Sequence, residues 1–187
     1  MRLISLVLLL LPLLILLKIG LTTDAVNTDD IVMSPQGLRT YDGIPFTGEA
    51  ISYYANGQIS KLATFQNGQR HGYLKQWFPS GVLGFYSLYQ DGRLHGETKS
   101  WWGNGNLRSV RNYQQGKTEG YSQQWYATGE LFKKLHYVQG SESGLQQAWR
   151  RNGKLFSNYE YVNGRIFGLK RSNMCVELED EKVVTIN

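Results

Sequence analysis

The stretch WFPSGVLGFYSLYQDGRLHG, residues 77–96, carries two turn-like glycines among a run of aromatic side chains. The stretch WWGNGNLRSVRNYQQGKTEG, residues 101–120, begins 24 residues later and keeps the same layout with different letters. Glycine recurs at this interval along much of the chain, at positions 48, 72, 96, 120, 144 and 168. A fixed period without insertion or deletion identifies a repeat protein.

Each 24-residue unit carries two further glycines that mark turns. The first series is Gly57, Gly81, Gly105, Gly129 and Gly153, and the second is Gly68, Gly92, Gly116, Gly140 and Gly164. Several of these glycines follow Asn or Asp, and such pairs favour type I′ hairpin turns because both central residues need positive φ. Segments between the turns, such as YLKQWF at 73–78, have the length of strands and are too short for helices.

The sequence therefore predicts an all-β fold, an open and twisted antiparallel meander of five β-hairpin repeats. The predicted repeats span 48–71, 72–95, 96–119, 120–143 and 144–167. Residues 26–47 are predicted to form an N-terminal cap with a degenerate hairpin that turns at Asp42-Gly43. Residues 168–187 leave the period and are predicted to form a C-terminal cap with a strand near Met174 to Leu178.

Aromatic residues follow the same period in two rows. One row is Tyr53, Trp77, Trp101, Trp125 and Trp149, and the other is Phe65, Tyr89, Tyr113, Tyr137 and Tyr161. A single repeat cannot bury its own apolar face, so neighbouring repeats must cover one another. We therefore predict that the two aromatic rows stack into a structural ladder that forms the core.

The N-terminus reads as an export signal. Arg2 precedes an apolar run from Leu3 to Leu17, which Lys18 closes. This run fits a secretory segment better than a full membrane span of about 20 residues. We predict that residues 1–25 are a signal peptide or an uncleaved signal anchor. The protein is then exported to the periplasm or cell envelope, where residues 3–21 would anchor an uncleaved chain to the inner membrane.

The repeat pattern closely resembles the bacterial variant of the MORN repeat. The unit reads G-x4-[WY]-[YFW]-x-[NST]-G-x-[IL]-x5-[FY]-x-x-G, and the resemblance covers about residues 48–168. Multi-copy proteins of this type are commonly labelled YwqK-family antitoxins, and the segments that flank the repeats resemble those of exported members. The resemblance implies a binding or structural role, since MORN proteins are implicated in membrane association and protein scaffolding.

Catalytic and metal-binding patterns are missing from the sequence. His71 and His95 share one repeat position, so they should lie about 10 Å apart, too far to bind one metal ion at bonds of about 2.1 Å. Glu49 and Glu97 lie two repeats apart, too far for a catalytic carboxylate pair. No G-x-S-x-G motif is present, and Cys175, the single cysteine, fits a structural role better than a reactive one. We expect no enzyme activity, no cofactor and no small-molecule substrate.

The repeats are basic, with 14 Lys or Arg against 7 Asp or Glu in residues 48–167. Candidate contacts for a polyanion are Arg108, Arg111, Lys133 and Lys134. The basic residues do not share one row, which argues against nucleic acid. We expect a non-catalytic scaffold or protein-interaction module at the bacterial cell envelope, with another protein as partner. The alternatives are a peripheral binder of anionic membranes or other polyanions, and an antitoxin-like neutraliser of a partner protein.

Overall fold

Short strands joined by tight turns dominate the part of the protein that its computed structural model describes, which is residues 25–169, 177–179 and 182–184. The predicted export segment up to residue 24 and the thiol of Cys175 lie outside the described residues, as does most of the predicted strand near Met174 to Leu178. One 3-10 helix, Thr28–Asp30, is present. Within the described residues, no helix has the length and apolar character needed to cross a membrane.

Nineteen strands follow one another along the described chain. In chain order they are β1 (Val26–Asn27), β2 (Val32–Met33), β3 (Arg39–Tyr41), β4 (Ile44–Pro45), β5 (Gly48–Tyr53), β6 (Ile59–Gln66), β7 (Gln69–Trp77), β8 (Leu83–Gln90), β9 (Arg93–Leu94), β10 (Gly96–Trp101), β11 (Leu107–Gln114), β12 (Lys117–Trp125), β13 (Leu131–Val138), β14 (Ser141–Glu142), β15 (Gly144–Trp149), β16 (Leu155–Val162), β17 (Arg165–Leu169), β18 (Glu177–Glu179) and β19 (Lys182–Val184).

Fourteen of these strands form one open sheet. Its order is β1-β5-β6-β7-β8-β10-β11-β12-β13-β15-β16-β17, with β9 paired to β8 and β14 paired to β13. Strand β1 runs parallel to β5, whereas the successive repeat strands from β5 to β17 pair antiparallel. Strands β2, β3 and β4 form a separate small sheet, and β18 pairs with β19. The prediction of an all-β, open antiparallel meander is confirmed.

The two turn series have different geometries. In the second series both central residues have positive φ, for example Asn67 at 50° and Gly68 at 78°, as a two-residue type I′ turn requires. In the first series only the glycine has positive φ, for example Gly57 at 82°. There the N–H of Gly57 donates to the carbonyl of Tyr54 at 2.9 Å, and the N–H of Tyr54 donates to the carbonyl of Gln58 at 2.8 Å. The first series is thus a three-residue loop with a left-handed glycine, and the type I′ prediction is wrong for it.

The buried centre of the sheet consists mainly of small and polar side chains, with Leu74 and Tyr159 as its larger members. Ala50, Ser122 and Gln146 are at most 1 % exposed, and they belong to a row of period 24 that also includes Leu74 and Thr98. A second buried row includes Ala63 and Ser87, which pair with the first row across the strands. These positions lie midway along their strands, so flanking side chains and neighbouring strands cover them from every side.

The two aromatic rows do not form this buried centre, so the ladder prediction needs correction. Tyr53 is 54 % exposed, and the other nine rings are partly buried. The rows lie near the strand ends, since Trp77 pairs with Leu83 beside the first turn and Tyr89 pairs with Gly72 near the second. Side chains alternate along a strand, so Tyr89 shares a face with Leu74 and Trp77 lies on the opposite face. The rings therefore flank the centre on both faces of the sheet.

The N-terminal segment covers the first edge of the sheet. Ile31 and Phe46 pack with Ala50 into a buried cluster, against which the ring of Phe65 also packs. The backbone N–H of Gly68 donates to the carbonyl of Phe46, and the N–H of Arg39 donates to the carbonyl of Gly68, both at 2.8 Å. The opposite edge of the described sheet, β17, is exposed at every residue.

Candidate functional site

Four exposed apolar side chains lie on one face of the sheet towards its C-terminal edge; Tyr121, Leu145, Phe167 and Leu169 are here called the apolar row. They are between 48 % and 56 % exposed. Tyr121 and Leu145 directly precede buried Ser122 and Gln146, so alternation places both on the face opposite the buried centre. Leu145 pairs with Glu160, and Glu160 pairs with Phe167, so the exposed Glu160 on β16 lies between these two apolar residues. Several exposed apolar side chains on one face near a sheet edge make this region a candidate interaction surface.

A buried glutamine joins β13 and β15 beside the apolar row. The side chain of Gln146, which is fully buried, accepts the backbone N–H of His136 at 3.1 Å and donates to the carbonyl of His136 at 2.9 Å. The ring of His136 then lies 4.8 Å from the ring of Tyr121, edge to face. The ammonium of Lys134 lies 4.8 Å from the centre of the same tyrosine ring. Sequence reasoning missed Gln146, because a glutamine in a repeat offers no signal that it is buried.

The four candidate polyanion contacts do not share a surface. Arg111 pairs with buried Thr98, whereas Lys134 directly precedes Leu135, which pairs with buried Ser122. Alternation therefore places Arg111 and Lys134 on opposite faces of the sheet. The remaining two stack on rings: Arg108 over Trp102 at 4.7 Å and Lys133 over Phe132 at 4.7 Å.

The polar groups of the described chain make local contacts rather than a reactive cluster. His71 lies 3.4 Å from the carboxylate of Asp91, and the Nδ1 atom of His136 lies 2.9 Å from the carbonyl of Ser143. No group of three potential metal ligands occurs among the residues that the structure describes.

Four tyrosine hydroxyls have a raised pKa, among them Tyr126, whose pKa is raised by burial. The hydrogen bond from Tyr73 to Glu49 raises the pKa of Tyr73 to about 12. Burial, and then the hydrogen bond to Glu142 at 2.9 Å, raises the pKa of Tyr159. Burial also raises the pKa of Tyr137, and the nearby Glu142 adds to that shift. Each hydroxyl stays protonated at neutral pH, so none is suited to act as a base or nucleophile there.

A second aromatic position joins neighbouring repeats through hydrogen bonds that the sequence analysis did not predict. The hydroxyl of Tyr54 donates to the carbonyl of Trp77 at 2.6 Å, and the hydroxyl of Tyr126 donates to the carbonyl of Trp149 at 2.9 Å. At the equivalent position of another repeat, the Nε1 atom of Trp102 donates to the carbonyl of Trp125 at 3.1 Å. Three of these residues thus carry a polar donor within an aromatic side chain, which is the signal that could have identified the role.

Removing one of these donors should weaken the sheet. We expect Trp102→Phe to lower the free energy of unfolding by about 0.5–1.5 kcal/mol through the lost hydrogen bond, because the carbonyl of Trp125 loses its side-chain donor. Phe78 holds the equivalent position without a donor, so Phe78→Tyr should add a hydroxyl where Tyr54 and Tyr126 carry theirs, and stability should not fall. Urea denaturation measures both changes, and a stability loss in Phe78→Tyr as large as that in Trp102→Phe would contradict the role.

Comparison with known families supports the repeat assignment. Residues 46–67, 94–115 and 118–139 each match the family model of the MORN repeat variant. The three matches begin 48 and 24 residues apart, which are multiples of the repeat length. No curated protein matches the chain. Matches to this repeat indicate a repeat-based module for protein interaction or membrane binding, of a kind that is generally not enzymatic.

Proposed function

We propose that the protein is a non-catalytic interaction module at the bacterial cell envelope, and that it binds an extended apolar segment of another protein at β17. The observation that carries this proposal is the apolar row, which combines two aromatic rings and two leucines on one face at the end of the sheet. Aromatic anchors are the residues that dominate the energy of protein interfaces.

The edge strand supplies a second element of recognition. β17 is the last strand of the described sheet, and its Ile166, Phe167 and Leu169 are between 44 % and 56 % exposed. An extended segment that adds to such an edge gains backbone hydrogen bonds, and pockets for alternate side chains give it specificity. Ile166 and Phe167 are neighbours on one strand and so project to opposite faces. A partner strand would therefore meet apolar surface on both sides.

Charge favours a protein partner over an anionic surface. A flat polyanion must meet several basic residues on one plane to bind firmly, since each contributes about 1 kcal/mol near an anionic surface. Arg111 and Lys134 lie on opposite faces, whereas the apolar row lies on one. The apolar row is thus better suited than the basic residues to contact one partner, because its side chains lie on one face.

Photo-cross-linking in bacterial cells tests the proposal. A photoreactive phenylalanine analogue at Phe167 of the full chain should cross-link to one discrete protein in the envelope fraction. The matched position is Met33, which is 55 % exposed but lies in the N-terminal sheet, and it should give no such product. Replacing Tyr121 and Leu145 by Ser should abolish the cross-link from position 167. Cross-linking to lipid alone, to no protein, or equally from both positions would contradict the proposal, as would recovery of the chain from the cytosol.

A further inference from the structure

A cavity of about 440 Å³ opens in the first three repeats, away from the apolar row. It is lined by aromatic residues, among them Tyr54, Phe78 and Phe85, and by the polar or cationic residues Gln76, Lys61 and Arg108. The volume falls in the range of about 300–1,000 Å³ that is typical of small-molecule sites. Such sites combine apolar rings with a few polar groups that orient the ligand.

Small residues at one repeat position keep this cavity open. Ser60 and Gly84 line it, whereas the positions 72 residues further along the chain, three repeat lengths away, are Phe132 and Phe156. Those two rings stack with their centres 6.5 Å apart and fill the corresponding space. The small residues at positions 60 and 84 therefore leave space where the later repeats carry a phenylalanine ring.

The cavity is positively charged and lacks a counter-charge. No Asp or Glu lines its walls, and within the described part of the chain neither Lys61 nor Arg108 forms an ion pair. The guanidinium of Arg108 is held 4.7 Å from the centre of the Trp102 ring, which restricts its position. A restrained guanidinium is suited to a planar carboxylate, which it can bind through two parallel hydrogen bonds.

We propose that this cavity binds an anionic saccharide, a sugar that carries a carboxylate. Aromatic rings offer flat apolar surfaces to the C–H faces of a sugar ring, and Gln76, Ser52 and Ser60 offer partners for its hydroxyls. Lys61 and Arg108 select the charged sugar over a neutral one. The inference does not depend on the proposed partner at β17. The sugar is bound without turnover, so it is a ligand and not a substrate.

Titration with a defined acidic sugar tests the proposal on the full-length protein. Trigalacturonate is the probe, and its trimethyl ester is the matched control because esterification removes the three negative charges and keeps the sugar rings and their hydroxyls. Tryptophan emission reports occupancy, since Trp77 and Trp101 line the cavity, and calorimetry gives the affinity. We expect saturable binding of the acid at low salt, at least about tenfold tighter than that of the ester.

Filling the cavity should abolish this binding. Gly84→Phe introduces the residue that the later repeats carry, and its Cβ would lie 2.9 Å from the ring of Phe78, which must shift. Such a shift has a precedent, because Tyr126 and Phe132 coexist at the equivalent positions with ring centres 4.9 Å apart. Ser60→Phe is the second filling variant, should the first destabilise the sheet. Each should weaken trigalacturonate binding by at least about tenfold while the unfolding curve stays cooperative.

Charge variants separate the site from a general basic surface. Arg108→Gln and Lys61→Gln should each weaken binding by about tenfold or more. Lys134→Gln, which removes a lysine that stacks on Tyr121 instead, should leave it unchanged. The proposal is overturned if the acid shows no saturable binding at millimolar concentration, or if the ester binds as well. It is also overturned if a folded filling variant binds normally, or if Lys134→Gln weakens binding as much as Arg108→Gln.

Discussion

Gly68→Ala should lower the free energy of unfolding by about 2–5 kcal/mol, the sum of two effects. Gly68 has a φ of +78°, where a side chain costs about 1–2 kcal/mol. A Cβ at this residue would also meet the carbonyl oxygen of Arg39 at 2.8 Å and the Cβ of Leu38 at 2.9 Å. Relieving that contact must move the N-terminal segment, at a further cost of about 1–3 kcal/mol.

Gly164→Ala is the matched control for this substitution. Gly164 occupies the same turn position four repeats later with the same φ of +78°, and apart from its chain neighbours no atom of the described residues lies within 4 Å of its projected Cβ. This variant should therefore lose only the conformational part, about 1–2 kcal/mol. Urea denaturation of both variants gives the difference. Equal losses would show that the N-terminal segment does not lie against Gly68 as described.

The period of the sequence was sufficient to predict the meander, because every turn requires a residue that tolerates positive φ. Gln115 and Gln139 show the strength of that requirement, since both have φ near 50° although glutamine has no preference for it. The type of the first turn was not predictable from Asn-Gly alone. Asn56 stabilises its loop in another way, by accepting the N–H of Gln58 at 3.1 Å.

Burial was harder to predict than topology because it depends on position along the strand. Large rings such as Trp77 suggest a core by their size, yet their rows lie beside the turns, where fewer neighbours cover them. Ser87 is fully buried because it lies at mid-strand. The apolar row could not be predicted from the sequence for a similar reason. Its members are recognised as sharing a face only when the register of β15, β16 and β17 is known.

The two ends of the sheet differ in a way that bears on function. Repeats of this kind contact only their neighbours, so each end must be covered or left open. The first repeat has the cluster around Phe46 on its edge, together with the parallel strand β1. The last described strand, β17, has no buried residue. An exposed edge is a template for pairing with another chain, so among the described residues β17 is the edge better suited to association.

Phe46→Ala should be the most damaging truncation of an aromatic residue in the described chain. Phe46 is 3 % exposed, and its ring centre lies 5.8 Å from that of Phe65 and 6.2 Å from that of Tyr41. Removing a ring so enclosed costs about 3–5 kcal/mol. The loss should also free the segment that the ring anchors. The amides of Arg39 and Gly68, which bridge this segment and the sheet, should then exchange with solvent faster.

Two other truncations to alanine provide stability losses with which that of Phe46→Ala can be compared. Phe167→Ala removes the same side chain from a site that is 56 % exposed, and it should change stability by no more than about 0.5 kcal/mol. Trp125 is partly buried, so Trp125→Ala should fall between the two phenylalanine variants despite the larger ring. Chemical denaturation ranks the three. If Trp125→Ala cost more than Phe46→Ala, the aromatic rows would form the core after all, and the small central residues would be only a lining beneath them.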